Sequence, residues 1–159
     1  MTERTALVDV QYAVDFDERF LPDEVSLTRW LQPAVDAHPD EVRCELTVRY
    51  VEESESQALN HEYRGKNAST NVLSFPFEAP PGMDLPLLGD LIISPHVVAR
   101  EAEAQGKPLE DHFAHMTLHG YLHLLGYDHI DDDEAEAMER LERKLLAQLG
   151  IADPYRDDQ

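Results

Sequence analysis

Residues 108–129 read PLEDHFAHMTLHGYLHLLGYDH, and the spacing inside this stretch organises the rest of the chain. Proline at 108 suits the opening of a helix, because its fixed φ matches the first turn and its missing N–H has no partner to lose there. The helix so opened runs as far as Leu125. Gly126 then permits a positive φ, which ends the helix and folds the chain back. His119 and His123 are four apart and share one face, with Cβ atoms roughly 6 Å from each other. Two imidazoles so placed can converge on one ion at metal–nitrogen distances of about 2.0–2.1 Å. The reversal at Gly126 lets His129 supply a third ligand. Three protein ligands leave one position of a tetrahedral ion open to water, which separates catalytic zinc sites from closed structural ones. Water held there has its pKa lowered toward ~7 and can attack an electrophile. The stretch therefore predicts a metal-dependent hydrolase with His119, His123 and His129 as ligands, sited at the C-terminal end of the histidine helix.

The same H-x-x-x-H-x-x-G-x-x-H spacing occurs in one class of zinc protease, which places a glutamate directly after the first histidine as general base. Here that position is Gly120. A glycine inside a helix costs up to ~1 kcal/mol relative to alanine, so close approach by a neighbouring element or a ligand is expected at that point. Lacking the glutamate, the chain is poorly suited to be a peptidase of that kind. Asp128 is read as orienting a ligand imidazole or capping the next helix. His112 and His115 extend the helix face without completing a better ligand set, with His115 a candidate for support behind the ligands. His38, His61 and His96 stand alone and are read as surface or packing residues.

Working outward, residues 5–14 and 42–51 alternate apolar and polar side chains and predict two strands. Residues 71–77 and 89–94 predict two more, separated by the loop APPGMDLP. Residues 23–37 have helical spacing, with Pro33 predicting a kink or a late start. Ser54 with Gln57 has the form of a capping box opening a short helix that ends before Gly65. Ser94-Pro95 opens a further helix that Gly106 stops, and Asp131 to Asp133 cap a last one that Gly150 ends. Strands and helices are intermixed, so the expected fold class is α/β of the α+β type, with about four strands in a mixed sheet packed against helices. The strand order is not readable.

At 159 residues one domain over 1–159 is expected, with its last few residues a disordered tail. No apolar run approaches the ~20 residues needed to cross a bilayer, and residues 1–4 lead into a strand rather than an apolar leader. A cytoplasmic protein with no membrane partner is expected. Thirteen basic residues stand against 33 acidic ones, a net charge of −20. Such a surface repels polyanions at long range, so an RNA substrate requires a local basic patch or a divalent cation. The single cysteine, Cys44, excludes an intrachain disulfide and is read as a buried, inert thiol.

The segment from His119 to His129 resembles the signature of the YbeY family, bacterial endoribonucleases of ribosomal RNA maturation. Two earlier blocks are similar to that family as well: Tyr63-Arg64-Gly65-Lys66 followed by Thr70-Asn71-Val72-Leu73-Ser74-Phe75-Pro76, and Leu88-Gly89-Asp90-Leu91-Ile92. The similarity runs from about Asn60 to Tyr155. It implies one zinc ion per chain on the three histidines, with other transition metals able to replace it. It also implies single-strand-specific cleavage of rRNA in maturation of the 16S 3′ end and in ribosome quality control. The implied partners are single-stranded rRNA, the small ribosomal subunit with its proteins, and a ribosome-assembly GTPase. His119 and Arg64 are the implied catalytic residues, Arg64 as a clamp on the scissile phosphate and Lys66 as a weaker phosphate contact. Many relatives carry Asp where this chain has Asn71, which argues against an acid–base role at that position. Two other readings are an assembly-binding factor whose metal is structural and a hydrolase or peptidase sharing the spacing.

Overall fold

Four of the alternating runs pair into one sheet in the computed structural model, which describes residues 5–83, 85–127 and 131–154. The strands are β1 (Leu7–Ala13), β2 (Glu45–Val51), β3 (Val72–Pro76) and β4 (Leu87–Ile93). Their order is β1-β2-β4-β3. β2 runs parallel to both β1 and β4, while β3 is antiparallel to β4 and forms one edge. The expected mixed four-stranded sheet is therefore present. β2 begins later than the alternation proposed, because Cys44 and Glu45 both donate their backbone N–H to the Pro86 carbonyl. Cys44, free and only half-buried, lies in that lead-in rather than in the core.

Five helices join the sheet among the described residues: α1 (Glu24–Asp36), α2 (Glu53–Arg64), α3 (Pro95–Gln105), α4 (Leu109–Leu125) and α5 (Asp132–Gln148). Two expectations about helix starts need correction. α1 is not delayed by Pro33 but starts at Glu24, where the Asp23 carboxylate accepts from the Ser26 N–H. Pro33 falls in the last turn, and the burial of Leu27, Trp30, Leu31, Ala34 and Val35 holds the helix on either side of it. The capping box at Ser54 does not form either. α2 starts at Glu53, one residue before Ser54, with Glu52 in the cap position and making no side-chain cap bond, and the Gln57 amide instead donates to Asn67. The other starts follow the sequence: Ser94 accepts from Val97 N–H, Pro108 precedes α4, and Asp131 accepts from Glu134 N–H.

α4 is the hub. Phe113, Ala114, Leu118, Tyr121, Leu122 and Leu124 are all buried along it, and it packs against β3, β4, α1, α3 and α5. A helix apolar nearly all round belongs inside a protein. Its polar residues must therefore be satisfied by neighbours, and those neighbours build the site. α2 is fastened to the lead-in of β3, since Ser56 and Asn60 bond the backbone of Thr70 and Ala68. No described helix is long and apolar enough to cross a membrane. The expected tail, together with His129 and Asp128, lies outside the described residues.

Candidate metal centre

Gly120 is explained by packing. A Cβ there would lie 2.8 Å from a Leu91 methyl and 3.1 Å from one of Val72, so a larger residue would have to push those buried side chains aside for α4 to lie this close to β3 and β4. Ser74 Oγ takes up the approach by donating to the Gly120 carbonyl at 3.1 Å. A glutamate at this position would have to displace Leu91 and Val72. Six residues on, Gly126 has φ 110°, a value open to glycine and strained for other residues, and it ends α4 as expected.

On the same last turns of α4 the two imidazoles converge. His119 Nε2 and His123 Nε2 are 3.1 Å apart. The far side of each ring faces an oxygen: His119 Nδ1 donates to Glu142 at 2.6 Å, and His123 Nδ1 donates to the Tyr127 carbonyl at 2.9 Å. With both Nδ1 protonated, the two Nε2 lone pairs face each other, an arrangement that repels unless a proton or a cation lies between them. Two nitrogens bound to one tetrahedral ion at about 2.05 Å lie roughly 3.3 Å apart, close to the separation found. The donor chemistry and the spacing thus both fit a transition metal.

The carboxylate behind His119 was not anticipated. Glu142 is fully buried in α5 and also accepts from His115 Nε2 at 3.2 Å. A lone buried carboxylate would be very costly, and two imidazole N–H groups are what hold it there. The signal was present: Glu142 falls within the apolar stripe of Met138, Leu141, Leu145 and Leu149, where a charged residue needs a partner. His115, Glu142 and His119 also lie close enough together to hold an ion themselves. Burial pulls the His115 pKa below its ordinary value, against the opposing pull of Glu142.

Other outer contacts came from residues read as packing. His38 Nδ1 donates to the Ala34 carbonyl and its Nε2 accepts from the Tyr127 hydroxyl, both at 2.7 Å. His38 therefore steadies the residue whose carbonyl orients His123. His112 bonds Glu101 at 2.9 Å, and this bond leads the causes that hold the Glu101 carboxyl below its usual range. Asn71 also donates to Glu101, at 3.0 Å, while its oxygen accepts from the Val72 N–H. Both ends of that amide are thus engaged in structural bonds. His96 packs edge-on against Phe16.

His119 and His123 open onto a cleft of about 840 Å³ walled by the end of α2, by β3 and by Tyr127. Arg64 lines it and has no hydrogen-bond or ion-pair partner among the described residues. Lys66 is exposed and does not line it. None of the 13 described lining residues is a carboxylate, in a chain holding 33 of them. By contrast, the depression over the open half of the sheet is lined by Asp9, Glu24, Glu45, Glu78 and Asp90. Among the described residues, acidic side chains line the second depression and not the histidine cleft.

Comparison with known proteins agrees with this architecture. A family model described as Endoribonuclease YbeY matches residues 15–150. A Chromohalobacter salexigens protein named Endoribonuclease YbeY is 59% identical over 148 residues, covering 93% of this chain and 96% of its own length. The solution structure of a Thermotoga maritima protein shares the fold, with TM-score 0.55 and 22% identity over 95% of this chain and all of that one.

Proposed function

The chain belongs to the YbeY endoribonuclease family, and from that premise we propose that it is a metal-dependent endoribonuclease acting on single-stranded rRNA. The observation that carries the reading is the pair of Nε2 atoms 3.1 Å apart at the floor of the cleft. Its ligands are His119, His123 and His129, with Glu142 outside them rather than among them. The Glu142 oxygens stand at ordinary hydrogen-bond distances from His119 Nδ1 and His115 Nε2, on the side of His119 away from His123. Zinc suits a set of three imidazoles, as do other transition metals.

When bound, the cation supplies electrostatic stabilisation at a phosphodiester and a nucleophile of lowered pKa. The protein's own residues do the rest. Glu142 and the Tyr127 carbonyl hold His119 and His123 in the tautomer that presents Nε2, so no reorganisation is needed on metal entry. Arg64 offers a planar fork for bidentate contact with the scissile phosphate and offsets its charge as the reaction proceeds. The lack of carboxylates among the described lining residues favours approach of a phosphate to an otherwise acidic body.

Maturation of the 16S rRNA 3′ end, ribosome quality control, and partnership with the small subunit and an assembly GTPase belong to this reading as its cellular setting, in the cytoplasm. The test is cleavage of a single-stranded rRNA fragment by metal-loaded protein. His119→Ala and His123→Ala should each abolish cleavage, and chelation should do the same to the native chain. Arg64→Ala should lower kcat/KM by about 10²–10³-fold, the scale of losing one charge-stabilising donor. Cleavage that persists in the double histidine variant would refute the assignment.

A further inference from the structure

The cleft poses a problem of affinity. Single-stranded nucleic acid is ordinarily held by a groove of cations, each phosphate neutralised adding about 0.7 to the salt slope. Here Arg64 is the one Lys or Arg among the described lining residues, on a chain of charge −20. One arginine and an ion on the histidines are little charge for a whole strand, so a contact other than charge must add to the hold.

The cleft does contain an aromatic surface. Tyr63, the residue before Arg64, is 61% exposed although it lines the cleft. Its ring is set edge-to-face on Phe75 of β3, with centroids 5.1 Å apart and planes at 74°. Phe75 lines the same cleft and is itself half-buried. The pair thus fixes one tyrosine face toward the open space beside the histidines. Exposed single aromatics are common and alone mean little. This one is braced on Phe75, belongs to the residue before Arg64, and occupies the described wall from which carboxylates are missing.

We infer that Tyr63 is a stacking platform for an unpaired nucleobase of the RNA substrate, next to the phosphate that Arg64 engages. The inference rests on the endoribonuclease reading and extends it by naming the feature that selects single strands. Every base has a π-face, so stacking on an aromatic ring is tolerant of sequence. In a duplex both faces are covered by neighbouring pairs, and the platform has nothing to grip. Selection for single strands then follows from the ring itself, with no separate element that rejects a helix. A modest salt dependence follows too, because few counterions are released.

The experiment uses the full chain, metal-free for binding and metal-loaded for turnover. The probe is a short single-stranded RNA carrying 2-aminopurine, whose fluorescence reports stacking. The native protein should change that fluorescence on binding. Tyr63→Ala should lose the change and weaken Kd and KM by about tenfold or more, with kcat moving less than KM. Tyr63→Trp and Tyr63→Phe should restore both, which separates stacking from a role of the hydroxyl and from misfolding. Annealing the probe to its complement should erase the difference between native and Tyr63→Ala protein. Equal Kd and equal fluorescence change for native and Tyr63→Ala protein would overturn the inference, as would a Tyr63→Phe variant as weak as Tyr63→Ala. Failure of the parent reading looks different: the fluorescence change depends on Tyr63, yet metal-loaded native protein leaves the strand uncut.

Discussion

The residue on which the centre most depends, outside its ligands, is Glu142. It accepts from His119 Nδ1 at 2.6 Å and is wholly enclosed. Carboxylates in this position fix the tautomer of a metal-bound imidazole and raise its basicity, and losing one typically weakens metal affinity about 10–100-fold. Glu142→Gln keeps the shape and removes the charge, so metal affinity should fall by that factor in a chelator competition. An unchanged dissociation constant would mean that Glu142 only fills space. The contrast with His119 shows what a sequence displays. The two histidines were legible because their relation is local, four positions along one helix. Glu142 and His38 meet the site from 23 and 85 residues away from the ligands they support, and no periodicity encodes which helix will dock on which. Gly120 was legible as a question, and Leu91 and Val72 supplied the answer.

At the scale of elements, the ties between helices set the shape of the cleft wall. α2 ends in the Tyr63–Arg64 pair, and its first turn is tied to α3 by Glu53 and Arg100, at 2.7 and 2.8 Å. Arg100, aided by the Ser69 hydroxyl, holds the Glu53 carboxyl down at about 2. The folded value lies below the ordinary 4.5, so this tie contributes fully above about pH 4.5 and is lost as pH falls through about 2. Both side chains are more than a third exposed, so screening keeps the energy small. Arg100→Met should move the Glu53 midpoint back toward the ordinary carboxylate range in a carbon-detected NMR titration. A midpoint that stays near its native value would assign the shift to Ser69 alone. Most elements were legible here because alternation and caps are short-range signals. Two helix starts were not. Pro33 in a final turn does less harm than the buried face of α1 does good, and Ser54 was outcompeted as a cap once its helix began at Glu53.

For the whole molecule, the core does not depend on the metal. The buried cluster spans all four strands and α1, α3, α4 and α5, whereas the two facing nitrogens lie at one end of α4. Metal-free protein should therefore stay folded. Metal present at 100 times its Kd adds about 2.7 kcal/mol of stability, which for a chain of this size raises Tm by roughly 5–10 °C. Melting curves with and without chelator check this, and unfolding at room temperature on chelation would instead make the ion a structural one. Fold class and strand count were legible in the sequence. Strand order was not, because inserting β4 between β2 and β3 depends on long-range pairing. Glu142 lies on α5, later in the chain than the histidine whose ring it holds, and this order has a consequence for biosynthesis. The carboxylate that orients His119 leaves the ribosomal exit tunnel 23 residues after the imidazole it serves. A partly synthesised chain can carry the histidines into the open, yet the His119 ring is not set for an ion until α5 has followed and docked. Metal binding is thereby coupled to docking of α5 rather than to the appearance of the histidines alone.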